Sequence, residues 1–201
     1  MQFLNRDEAG LQLAEQLSHY QNAENTIILA LPRGGVPIGY QIAKTLNLPL
    51  DIFLVRKLGC PGNPELAMGA IAEGGICLLN QDIIESLMIS SSEIERITRL
   101  ENQELQRRRL TYSADRKPIS VTNKQIILVD DGIATGATIR TAINALKKQV
   151  ISKLIVAIPV AAKDTLKKMK SEVDEIICTY STNNLGSIGQ YYLDFAQLSD
   201  H

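Results

Sequence analysis

Histidine is nearly absent from this chain of 201 residues: His19 falls in a helix-like stretch and His201 is the last position. A Ser-His-Asp hydrolase or a histidine-ligated metal centre needs an imidazole held firmly in the fold, so both chemistries are set aside. Cysteine is scarce too. Cys60, Cys77 and Cys178 are an odd number at no metal-ligand spacing, which points to a reducing, cytoplasmic setting rather than a disulfide framework. No apolar run approaches the ~18 residues of a membrane span, and the charged start MQFLNRDEAG lacks the apolar core of a secretion signal. A formal charge of −1 leaves no basic excess for nucleic acid. The expected partners are therefore small molecules, with no nucleic acid and no membrane; a homodimer is left open. What remains is chemistry done by carboxylates, lysine, arginine, backbone amides and a bound cation.

The 45% hydrophobic and 21% charged fractions suit a single well-buried domain over 1–201. Residues 6–20 place Ala9, Leu13, Leu17 and Tyr20 at helical spacing. TIILALPRGG then reads as a buried strand stopping at a turn, and VPIGYQIAKTLN as a helix burying Val36, Ile38, Ile42, Ala43 and Leu46. LDIFLVRK reads as a further buried strand, GCPGNPELAMG as a loop from its three glycines and two prolines, and GAIAEGGICLLN as two short strands about Gly74-Gly75. Residues 80–117 are polar and helix-prone and are expected to form a helical insertion. After Lys124 the alternation resumes: strand 125–129, helix 137–149, strand 153–159, helix 162–171 and strand 174–179. Apolar strands alternating with amphipathic helices predict an α/β fold, an open and mostly parallel sheet with helices on both faces. Residues 180–201 are turn-rich, then aromatic, and are expected to cap one edge.

In such a sheet, ligands bind beyond the carboxyl ends of the strands. Three segments carry charge or bare backbone there: Arg33-Gly34-Gly35, Arg56-Lys57, and Asp130 to Thr138. In the last, Gly132, Ala134, Gly136 and Ala137 leave backbone N–H groups unscreened at a helix start, and Thr135 and Thr138 add hydroxyl donors, so the turn is suited to phosphate. It lacks the Gly-Lys-Ser/Thr ending of a Walker A loop. Asp130 and Asp131 would repel a bare phosphate; they suit a ligand with hydroxyls or Mg²⁺ beside its phosphate, such as a ribose 5-phosphate.

The stretch IILVDDGIATGAT, Ile126 to Thr138, resembles the phosphoribosyl-pyrophosphate signature of type I phosphoribosyltransferases. LALPRGGVPIG resembles that family's pyrophosphate loop, where the backbone sometimes holds a cis non-proline peptide. FLVRKLGCPG resembles the strand end at which an Arg-Lys pair precedes a mobile loop. The three matches fall in family order over roughly residues 26–160, and the whole run is similar to a bacterial phosphoribosyltransferase-like group that brings no acceptor with it. The resemblance implies the type I fold and displacement of pyrophosphate from ribose C1 by a nitrogen nucleophile; residues 80–117 depart from it as a helical insertion longer than the compact family core needs, expected as a hood over the site. The resemblance also implies Mg²⁺ as cofactor, reached by Asp130 and Asp131 directly or through water. It further implies that Arg33, Gly34, Gly35, Arg56 and Lys57 serve the pyrophosphate, that Arg33 and Lys57 act with the two acids in catalysis, and that Gly132, Ala134, Thr135, Gly136, Ala137 and Thr138 hold the 5-phosphate.

One departure bears on mechanism. Ala134 stands where the hypoxanthine-guanine branch has an aspartate that serves the purine as base. Glu65 and Glu73 could supply a carboxylate instead, or be a solvated acid and a turn acid. Arg107, Arg108 and Arg109 could reach the site or form a solvated helix face. Tyr191, Tyr192 and Phe195 could stack on an acceptor or pack in a core, and Cys60, with no histidine to activate it, is taken as incidental. The alternative function on the same fold is a non-catalytic sensor of phosphoribosyl pyrophosphate or nucleotide.

Overall fold

The computed structural model describes residues 2–113 and 116–199. Five strands form a parallel sheet in the order β2-β1-β6-β7-β8: β1 Thr26–Ala30, β2 Leu50–Ile52, β6 Gln125–Val129, β7 Lys153–Ala162 and β8 Glu175–Thr182. Side chains alternate across a strand, so each run of Ile, Leu and Val serves two cores. Ile27, Leu29, Ile126, Leu128, Leu154 and Val156 face one side, where α5 (Ala137–Leu146) adds Ile139, Ile143 and Leu146 and α6 (Lys163–Met169) adds Met169. Ile28, Ile127, Val129 and Ile155 face the other, covered by α1 (Arg6–Gln16) and α2 (Gly35–Leu46). The expected α/β fold with helices on both faces is what forms.

The α1 helix starts cleanly because the Asn5 side chain accepts the Glu8 N–H at 3.0 Å, with Asp7 and Glu8 in the first turn. It ends at Gln16 and passes into a 3₁₀ turn at Ser18–Tyr20, so the helical spacing read over 6–20 spans two elements. The α2 helix buries Ile38, Ile42 and Leu46 and stops at Asn47, which turns left-handed with φ 52°.

Two segments differ from their sequence reading. LDIFLVRK is not one strand. β2 ends at Ile52, the Phe53 N–H donates to the Ala30 carbonyl at 2.9 Å, and the chain then enters a second sheet at β3 (Val55–Cys60). That sheet is antiparallel, in the order β3-β4-β5, with β4 at Asn63–Ala72 and β5 at Ile76–Leu79. The run from 59 to 69 is therefore a β-hairpin rather than a loop. Of its glycines only Gly62, with φ 75°, serves the turn; a Cβ on Gly59 would lie 2.6 Å from the Pro64 carbonyl oxygen, and one on Gly69 2.3 Å from that of Leu78. Those two glycines let strands approach closely, and β3 shifts register on both sides of Gly59.

Residues 80–113 give α3 (Gln81–Ser86) and the 23-residue α4 (Ser91–Ser113), which lie over the small sheet as a hood. Leu105, Ile94 and Ile97 of α4 meet Leu58, Met68 and Ile71. Arg109 ties hood to core: its guanidinium lies 2.9 Å from Asp51 on β2 and 3.5 Å from Glu73 at the end of β4. No helix among the described residues is long and apolar enough to cross a membrane.

Candidate active site

β1 and β6 are neighbours at the centre of the sheet, yet α2 leaves β1 on one face and α5 leaves β6 on the other. A crevice must open between the two departing helices, at the carboxyl ends of those strands; this is the switch point at which open α/β sheets bind ligands. The Arg33 turn and the Asp130–Thr138 loop form its two lips.

The Asp130–Thr138 loop is pinned by its backbone. The Ile133 N–H donates to the Val160 carbonyl at 2.9 Å, the Ala162 N–H to the Ile133 carbonyl at 3.0 Å, and the Thr165 hydroxyl to the Ala134 carbonyl at 2.7 Å. Gly136 caps α5 with φ 78°, a left-handed position where a Cβ would press within 2.8 Å of Thr165 Cγ2. Ala134, Thr135, Ala137 and Thr138 are exposed, so the start of α5 meets an approaching anion with backbone, methyl groups and hydroxyls alone.

Across the crevice the Pro32–Arg33 peptide is cis, as the resemblance implied. Gly34 and Gly35 then press onto the acid lip: a Cβ on Gly34 would lie 1.9 Å from Asp131 Oδ2, and one on Gly35 2.5 Å from the Val129 carbonyl oxygen. Both positions are glycine for lack of space.

The two acids differ sharply. Asp131 Oδ2 accepts the Arg6 Nε–H at 3.0 Å, and Arg6 Nη2 lies in ion-pair contact with the same oxygen at 2.9 Å. Burial still raises its pKa against the pull of Arg6. Asp130 accepts the Asp131 N–H at 2.9 Å and feels Arg6 only as the smallest of the influences on it. Burial, reinforced by the neighbouring Asp131 charge, pushes its carboxyl up to about 8. A carboxylate raised in this way favours a cation beside it. No group of three or more His, Cys, Asp or Glu side chains among the described residues could hold a metal unaided. The donor set is two hard carboxylates next to a turn of bare backbone, which fits Mg²⁺ shared with a ligand's own oxygens.

Arg56 and Lys57 start from the same sheet edge but stand on β3, in the hood rather than at the end of a parallel strand. Each already has an acid: Arg56 Nε donates to Glu101 on α4 at 2.6 Å, and Lys57 lies 3.3 Å from Glu65. Glu65 is 94% exposed, while Glu73, beside Arg109, is pushed by burial up to about 7. Arg107 and Arg108 pair with Glu104 on their own helix face, and Arg109 braces the fold. Tyr192 is buried against Phe3, and Tyr191 lies over Tyr180, so these rings pack rather than wait for a ligand.

One participant escaped the sequence reading. Arg6 sits at the first position of α1, 125 residues from its acid. The signal was local: a cation at a helix start opposes the helix dipole, which favours acids there. Arg6 is there for Asp131.

The phosphoribosyl transferase domain profile matches residues 7–195. A Mycobacterium tuberculosis H37Rv protein named "Putative phosphoribosyl transferase Rv0571c" is 37% identical over 198 residues, which is 98% of this chain but 44% of that protein; the chain thus spans less than half of that relative. The crystal structure of TT1426 from Thermus thermophilus superposes with a TM-score of 0.86 at 34% identity, covering 100% of this chain and 94% of the other. A hypoxanthine phosphoribosyltransferase from Staphylococcus aureus shares the fold at a TM-score of 0.50 and 12% identity, over 88% of this chain and 72% of its own.

Proposed function

Because the chain belongs to the phosphoribosyl transferase domain family, we propose that it transfers the 5-phosphoribosyl group of phosphoribosyl pyrophosphate to a nitrogen nucleophile. The observation that carries this reading is the pair of acids at the end of β6, set between a glycine turn on one lip and a bare helix start on the other. Hydroxyls and phosphate of one sugar are thereby met within one loop.

In the reaction the C1–oxygen bond to pyrophosphate breaks, the electron pair leaves with the pyrophosphate, and the nucleophile's lone pair forms the new C1–nitrogen bond. Positive charge builds on the ribose ring in between, so catalysis consists of holding the sugar still and stabilising the leaving polyanion. Asp130 and Asp131 grip the ribose hydroxyls, and residues 132–138 take the 5-phosphate through N–H groups and the Thr135 and Thr138 hydroxyls. Arg33 and the backbone of Gly34 and Gly35 face the pyrophosphate. Mg²⁺, held by Asp130 and Asp131, would neutralise charge on the pyrophosphate. Arg56 and Lys57 reach it only by exchanging Glu101 and Glu65 for the ligand. Residue 134, where the hypoxanthine-guanine branch carries an aspartate, is alanine, so that position assigns no base.

The test is incubation with phosphoribosyl pyrophosphate, Mg²⁺ and a panel of nucleobases and other nitrogen nucleophiles, following pyrophosphate release. Release with at least one acceptor, abolished by Asp130→Asn with Asp131→Asn, supports transfer. Tight binding with no release under any acceptor supports a sensor instead.

A further inference from the structure

We propose that Arg6 is a positioning residue for the donor's ribose: it fixes the Asp131 carboxylate by one oxygen so that the other faces the sugar. This rests on the transferase reading above and deepens it.

Both contacts from Arg6 converge on Asp131 Oδ2, the Nε–H donating at 3.0 Å and Nη2 in ion-pair contact at 2.9 Å, and no side-chain donor among the described residues is bonded to Oδ1. The carboxylate is therefore held at one end and open at the other. Its backbone is held as well, because the Tyr192 hydroxyl donates to the Asp131 carbonyl at 2.7 Å. Arg6 is itself fixed on three sides. It is the first residue of a helix capped by Asn5, its Nη1 donates to the Ala196 carbonyl at 3.0 Å, and its guanidinium lies 3.8 Å from the centre of the Phe195 ring. Its side chain is only 11% exposed, so the pair is shielded from water and salt.

This brace draws on both ends of the chain, and Arg6 and Ala196 lie just outside the matched residues 7–195. A rotatable Asp131 would be free to pair with Arg6 by either oxygen, or to turn from the sugar. Gly34 beneath it and the planar guanidinium beside it leave one orientation. Adjacent ionised acids repel, and Arg6 compensates one of them, so the loop meets the anionic donor with less opposing charge.

The experiment compares wild type, Arg6→Gln, Arg6→Lys and Phe195→Leu for equilibrium binding of phosphoribosyl pyrophosphate and, separately, of inorganic pyrophosphate, both with Mg²⁺. Arg6→Gln is expected to weaken the sugar-bearing ligand by about 10- to 100-fold, the scale of a lost charge-assisted hydrogen bond, with inorganic pyrophosphate changed less than about threefold. Arg6→Lys, which keeps the charge but not the planar fork, falls between. Phe195→Leu, which spares the hydrogen bonds, loses a few-fold and guards against an Arg6→Gln chain that fails to fold. Binding of phosphoribosyl pyrophosphate by Arg6→Gln within twofold of wild type overturns the inference, as does an equal loss of both ligands in a folded variant. A wild type that binds no phosphoribosyl pyrophosphate overturns the transferase reading, and this inference with it.

Discussion

Gly34→Ala separates space from conformation in the crevice. Gly34 has φ −62° and ψ −34°, values any residue adopts. Elsewhere a Gly→Ala change at such angles stabilises a protein by roughly 0.4–1 kcal/mol, because the unfolded chain loses freedom. Here the new Cβ would lie 1.9 Å from Asp131 Oδ2, 2.2 Å from Cγ and 2.8 Å from Oδ1. Ordinary contact needs about 3.4 Å, so the carboxylate must retreat by roughly 1.5 Å, away from both N–H groups of Arg6. Loss of those charged hydrogen bonds is worth about 1.5–3 kcal/mol, which outweighs the conformational gain and leaves the variant less stable by about 1–2 kcal/mol. A displaced carboxylate that no longer accepts from the ribose hydroxyls forfeits a charged hydrogen bond of about 1.5–3 kcal/mol, so roughly a 10- to 100-fold loss in phosphoribosyl pyrophosphate affinity is expected. Urea unfolding and equilibrium binding give the two numbers. A variant that is more stable than wild type and binds the ligand within threefold would refute the packing argument.

Gly136→Ala is different: φ of 78° is strained for any Cβ, and Thr165 crowds it at 2.8 Å. A stability loss of about 1–2 kcal/mol is expected, with weaker binding of ribose 5-phosphate, measured by urea unfolding and by direct titration. Glu73 gives the pH dependence. Its folded pKa of about 7 is raised from 4.5, so the native state holds the proton more tightly and stability falls as pH rises between those values, by up to about 3 kcal/mol. Glu73→Gln removes that slope, and unfolding at pH 4.5 and pH 8 should show a smaller difference than in wild type; an unchanged difference refutes the assignment. Glu101→Gln releases Arg56, and pyrophosphate should then bind several-fold tighter, read as product inhibition or direct affinity. Unchanged affinity would place Arg56 outside the leaving-group site.

The acid loop was legible because everything it needs is contiguous: an apolar strand, two acids, small residues and a helix lie within Ile126 to Arg140. The parallel sheet was legible for the same reason, since each strand is a short buried run. The passage from β2 to β3 was not, because Phe53 and Leu54 are both buried, one in the core under the parallel sheet and the other under the hood. An unbroken apolar run conceals a change of sheet when each side has its own core to fill. The hairpin was hidden by glycines that mark loops in most contexts but here make room for backbone. Long-range pairs left the weakest trace: Arg56 with Glu101 and Arg6 with Asp131 join residues 45 and 125 positions apart.

The asymmetry of the two acids resolves a difficulty that the sequence raised. Two carboxylates beside a phosphate turn would oppose a ligand that carries phosphate and pyrophosphate. Arg6 is bonded to Asp131 and helps Asp130 least of all the influences on it, so burial still disfavours the Asp130 charge. On the proposed function, the free crevice would oppose the donor's phosphates less than two ionised acids would, and a Mg²⁺ arriving with the donor would favour the ionised Asp130. The acceptor meets no such preparation on this loop. Ala134 offers only a methyl group, Glu73 is engaged with Arg109 at the hood junction, and Glu65 lies exposed beside Lys57. On the proposed function the donor would be met by two strand-end lips and the Arg6 brace, with Arg56 and Lys57 on β3 beside them, whereas position 134 offers no side chain to take the acceptor's proton.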